Sequence, residues 1–145
     1  MSHVEHEITI NATPAQVFAA LLDVGQAPKW MANLQEVRSI TGRALGDSFE
    51  WTFRMAGLTF KGKTVFAAIE PNQYLREDGS GDLTNSWEWH LSPSGASTTH
   101  VRVGIEYTVP GGAVLGALAN KLFVERQNDK DLQQSLDNLK RILEG

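Results

Sequence analysis

The chain has 145 residues, the length of one ordinary domain, and can bury a sizeable core. It is 41% hydrophobic and 21% charged with a net charge of -4, and it lacks the basic stripe that phosphate binding needs, so nucleic acid is excluded as its main partner. The absence of cysteine excludes disulfides, thiolate metal sites and cysteine nucleophiles, and it is compatible with a reducing cytosol.

The first residues, Met1 to Glu7, are polar and acidic, without the basic start and apolar core of a signal peptide. No apolar run is long enough to span a bilayer; the longest is Ala113 to Ala119. The expectation is a cytoplasmic protein with no stable membrane insertion. Val4, His6, Ile8 and Ile10 alternate with Glu5, Glu7 and Thr9, which predicts a strand with one buried face. Thr13, Pro14 and Gln16 then form the signature of a capped helix start. Val17, Phe18, Leu21 and Leu22 give this short helix its apolar side, and Gly25 should end it. Pro28-Lys29-Trp30-Met31 opens a second short helix, ending near Asn33.

From there the pattern has period two. Strands are expected at Val37–Ile40, Phe49–Met55, Leu58–Glu70, Gln73–Glu77, Trp87–Leu91 and Thr99–Val109. The punctuation is Thr41-Gly42, Ala56-Gly57, Pro71-Asn72, Asp78-Gly79-Ser80-Gly81 and Pro93-Ser94-Gly95. The last segment, Pro110 to Gly145, reads as one long helix. Roughly thirty helical residues extend about 45 Å. The order of elements is one strand, two short helices, six strands and one long helix. With no linker or repeat, residues 1–145 read as a single α+β domain: an antiparallel meander whose aromatic face must be covered by the terminal helix.

That helix carries Leu115, Leu118, Leu122, Leu132, Leu136, Leu139 and Leu143 on one face, and Glu125 and Asp129 fall within the same stripe. Acids on a buried face need water or a polar partner. A partly polar cavity between sheet and helix would supply that. Facing such a cavity, two carboxylates four residues apart would repel one another, and repulsion with desolvation would raise the pKa of at least one. The competing reading turns both acids toward solvent or a salt bridge, with Lys121, Arg126 and Lys130 at hand.

Three stretches carry a family resemblance over essentially the whole chain. They are Ile8-Thr9-Ile10-Asn11-Ala12-Thr13-Pro14-Ala15-Gln16-Val17-Phe18, the segment Pro28-Lys29-Trp30, and the closing Pro110-Gly111-Gly112 with Leu122-Phe123-Val124-Glu125-Arg126 and Ser135-Leu136-Asp137-Asn138-Leu139-Lys140. The chain resembles the polyketide cyclase/dehydrase and lipid-transport branch of the START-like superfamily, also called SRPBCC. The resemblance implies a helix-grip fold, with a curved antiparallel sheet wrapped around the last helix and a deep apolar cavity between them. It transfers no catalytic residue, because fold alone does not set activity.

The expected ligand-binding surface comprises Phe49, Trp51, Phe53, Trp87, Trp89, Val103, Ile105 and Tyr107 from the strands, with Leu122, Glu125 and Asp129 from the helix. Aromatic residues on a sheet face either stack on a ligand or simply pack the core. The leading expectation is a cavity for a small hydrophobic molecule such as a lipid, an isoprenoid or an aromatic polyketide, with no cofactor. A cyclase or dehydratase using Glu125 or Asp129 as general acid/base, helped by Tyr107, is the enzymatic alternative. The third reading is a ligand-free interaction module that docks through the apolar start of the last helix, where Gly112 and Gly116 also leave a homodimer contact open. The histidines have no metal-site spacing. Lys61 and Lys63 read as a solvated face.

Overall fold

The computed structural model describes residues 2–55, 57–108 and 121–145, with side chains in the last segment described from Val124 onward. Seven strands form one fully antiparallel sheet: β1 (Ser2–Ile10), β2 (Leu34–Arg38), β3 (Ser48–Met55), β4 (Leu58–Glu70), β5 (Tyr74–Gly81), β6 (Thr84–Gly95) and β7 (Thr98–Thr108). Their order is β1-β7-β6-β5-β4-β3-β2. The last six strands are thus a simple meander, and β1 closes its far edge by pairing with β7 from Ser2–Tyr107 to Ile10–Thr99. The sheet is curled into a half-barrel, with helix α2 (Lys121–Glu144) running along it, an α+β helix-grip arrangement.

Helix α1 (Pro14–Leu22) starts as its sequence dictates. The Gln16 N–H donates to Thr13 Oγ1 at 3.2 Å, and Gln16 Oε1 accepts from the Thr13 N–H at 2.9 Å, completing a capping box. Val17, Phe18 and Leu21 are buried beneath it. The second short helix differs from expectation. It is a 3-10 helix over Val24–Lys29 that contains Pro28 rather than opening at it. The Trp30 and Met31 N–H groups still bond to the Ala27 carbonyl, and Asn33, at φ 68°, then turns the chain into β2.

Two predicted turns are strand. Asp78-Gly79-Ser80-Gly81 belongs to β5, and Pro93-Ser94-Gly95 to the end of β6. In β5 the glycines serve close approach rather than chain reversal. A Cβ on Gly79 would stand 2.6 Å from Asn85 Oδ1, and one on Gly81 would stand 2.7 Å from the Gly62 Cα.

The inward faces of the strands and one side of α2 form a continuous core. Phe66, Leu75, Trp89, Val101, Val103, Val124, Leu136 and Leu139 are almost completely buried within it. The other sheet face is polar and carries cross-strand ion pairs such as Arg102–Glu5 and Arg76–Glu88, both at 3.7 Å. No helix among the described residues is long and apolar enough to cross a membrane.

Candidate functional site

Between the sheet and α2 lies a cavity of about 140 Å³. Its lining, among the described residues, is dominated by apolar and aromatic side chains. Phe49, Trp51, Phe53 and Met55 come from β3, Trp87 and Trp89 from β6, and Ile105 and Tyr107 from β7. Trp30 and Met31 close one side from the segment after the 3-10 helix, and Leu132 closes another from α2. All four tryptophans of the chain are in this wall. Trp87 and Trp89 lie nearly parallel at a centroid distance of 5.9 Å, and Trp30 meets Trp89 edge-on at 6.0 Å.

Seven of the residues expected from the sequence therefore meet at one surface: Phe49, Trp51, Phe53, Trp87, Trp89, Ile105 and Tyr107. Val103 points inward but is packed shut in the core and does not reach the cavity. The side chain of Leu122 lies outside the described residues, as do Leu115, Leu118, Gly112 and Gly116.

The acid pair is a correction. Glu125 and Asp129 are not in the cavity wall. Glu125 Oε1 accepts from Ser2 Oγ at 3.0 Å, and Asp129 Oδ1 meets His6 Nε2 at 2.8 Å with 60% of the Asp129 side chain exposed. The reason is where the helix rests. Helix α2 packs directly against edge strand β1, so one side of its apolar stripe meets Ser2 and His6. The side carrying Asn128, Asp131, Leu132 and Ser135 turns to the cavity. Three- and four-residue steps keep those four together on the helix surface.

Two other acids face the cavity. Glu77, in the middle of β5, is one of them. The Trp89 Nε1–H donates to its Oε1 at 3.1 Å, and no cation accompanies it among the described residues. Burial pushes the Glu77 carboxyl up to about 7, against a smaller downward pull from the Trp89 hydrogen bond. Asp131 is the other. Burial raises it too, although Gln127 Nε2 donates to one carboxyl oxygen at 2.9 Å and Asn33 Nδ2 donates to the other. No lysine, arginine or histidine lines the cavity among the described residues.

Glu77 was hidden in the sequence because Asp78-Gly79 looked like the end of its strand. Period two counted from buried Leu75 puts Glu77 on the inner face, and that signal was available.

Hydrogen bonds within the wall hold its shape. The Trp51 Nε1–H donates to Thr64 Oγ1 at 2.9 Å. Ser135 Oγ accepts from the Ala32 N–H at 2.9 Å and donates to the Asp131 carbonyl at 2.7 Å, while Asn138 Nδ2 donates to the Trp30 carbonyl at 3.0 Å. Ser135 and Asn138 thereby lock α2 to the loop that carries Trp30 and Met31. The Tyr107 hydroxyl is buried without a hydrogen-bond partner among the described residues.

The sequence profile of the family described as polyketide cyclase / dehydrase and lipid transport matches residues 1–144. The chain belongs to this family. Solved structures with the same fold include a START superfamily protein from Mycobacterium smegmatis, with a TM-score of 0.75 at 15% identity, covering 98% of this chain and 97% of that one. A protein from Thermus thermophilus superposes with a TM-score of 0.77 at 16% identity over 97% and 95% of the two chains. The Zhui aromatase/cyclase from a Streptomyces species does so with 0.69 at 19% identity over 97% and 94%. No curated protein matches the chain. At these identities the likeness fixes the helix-grip fold of the family member and leaves its ligand to be argued from its own residues.

Proposed function

We propose that the protein binds a small, largely apolar molecule in the cavity between sheet and α2. The observation that carries this reading is an aromatic cavity of about 140 Å³ lined by all four tryptophans. A cavity of roughly 150 Å³ is enough to take a benzene-sized molecule. The ligand, or the part of it that enters this space, is on the scale of one ring. Affinity would come from burying apolar surface, and the few polar groups of the wall would set orientation.

Native mass spectrometry of the purified protein, repeated after denaturing extraction, tests this. A small-molecule mass that is lost on denaturation supports the reading. The same holds for a saturable change in tryptophan fluorescence with a single-ring probe. A bare polypeptide mass with no saturable response to any such probe overturns it.

A second, enzymatic reading is favoured by one observation. Glu77 has a proton affinity near neutrality inside the cavity, which is where a general acid/base works best. In a cyclase or dehydratase of this kind the role assigned from sequence to Glu125 or Asp129 passes to Glu77. Glu77→Gln would then lower kcat with little change in KM.

A further inference from the structure

The hydrogen-bonding inventory of the cavity is lopsided. Both indole N–H groups with internal partners are spent: Trp51 on Thr64 and Trp89 on Glu77. The Ser135 hydroxyl is spent on the Asp131 carbonyl, and the two oxygens of Asp131 are taken by Asn33 and Gln127. Glu77 uses only Oε1, and no bond to its Oε2 exists among the described residues. The wall thus keeps a carboxyl oxygen of Glu77 in hand, and the Tyr107 hydroxyl also stands without a partner among the described residues.

Charge points the same way. Two carboxyl groups border the space, and no basic side chain does among the described residues. Among the described residues an anionic ligand would meet only like charge there. A neutral carbonyl could take the Tyr107 hydroxyl but would leave the Glu77 carboxylate without a counter-charge.

From this geometry we infer that the ligand carries a protonated nitrogen, which pairs with Glu77 inside the ring of tryptophans. This rests on the ligand-binding reading of the same cavity. An ammonium supplies the counter-charge that Glu77 lacks, and aromatic rings attract cations through their quadrupoles. The Trp89 N–H already favours the ionised carboxyl, so the pair forms with one hydrogen bond in place. The burial that raises the Glu77 carboxyl in the empty cavity is offset once a cation enters.

Three probes of one shape test the inference: benzylamine, benzyl alcohol and benzoate, titrated calorimetrically at about pH 8, where an alkyl amine is still protonated. Benzylamine should bind at least about tenfold more tightly than benzyl alcohol, and benzoate most weakly. Glu77→Gln keeps an oxygen for the Trp89 N–H and should bring the amine down to the level of the alcohol. Alcohol binding as tight as amine binding in the wild type, or an amine preference that survives Glu77→Gln, overturns the inference and leaves the cavity reading standing. No saturable binding of any probe overturns both. The wild-type comparison holds whether or not the variant folds.

Discussion

The indole of Trp51 lies across Gly62, its partner on β4: a Cβ placed on Gly62 would stand 2.3 Å from Trp51 Cζ2. It would also stand 2.4 Å from the Ser80 carbonyl, which is backbone and cannot swing away. The absence of a side chain at Gly62 therefore shapes the cavity wall. Gly62→Ala should destabilise the protein by about 1–3 kcal/mol through overpacking, read as a lower urea midpoint with an unchanged slope. A neutral result would mean that the indole sits elsewhere.

Glu77 should make the protein less stable as pH rises. Its carboxyl is raised from an ordinary 4.5 to about 7 by burial. Between those values the folded state holds a proton that the unfolded state has released, so stability falls through this window and levels off above it. The total loss is on the order of 3 kcal/mol. Asp131, also raised by burial, acts in the same direction. Glu77→Gln has no proton to lose, so its urea midpoint should change much less than the wild type's between about pH 5 and pH 8. Parallel pH profiles for the two proteins would show that Glu77 is not desolvated.

Trp89→Phe removes the one hydrogen bond that pulls the Glu77 carboxyl down. The Glu77 titration, followed by carboxyl carbon NMR, should move to still higher pH. An unmoved midpoint would place the indole N–H out of reach of Glu77.

Thr99 tests the joint between α1 and the sheet. Its hydroxyl, fully buried, donates to the Ala12 carbonyl at 2.7 Å. Thr99→Val preserves the shape and strands that carbonyl, at an expected cost of about 1–3 kcal/mol by chemical denaturation.

The sequence announced the strands because alternation such as Phe49-Glu50-Trp51-Thr52-Phe53 has only one sensible folding. It announced α1 because Thr13, Pro14 and Gln16 each perform one step of capping. The tryptophan wall was legible for the same reason: period two puts these residues on one face. The acids were harder. Helical spacing put Glu125 and Asp129 on the inner stripe, but spacing cannot say that β1, rather than the cavity, lies beneath that part of the stripe. Glu77 was missed for the opposite reason. Glycines beside it looked like a turn, although they serve the close packing of Asn85 and Gly62 against β5.

Strand β1 finds its partners at the far end of the chain. Ser2 to Ile10 pair with Thr99 to Tyr107, and Ser2 and His6 bind Glu125 and Asp129, each 123 positions away. During synthesis the first strand must therefore wait, unpaired, until β7 has left the ribosome. Its amphipathic edge is open to wrong partners throughout that interval. Closing so large a loop makes the docking of β1 a late and slow event in folding.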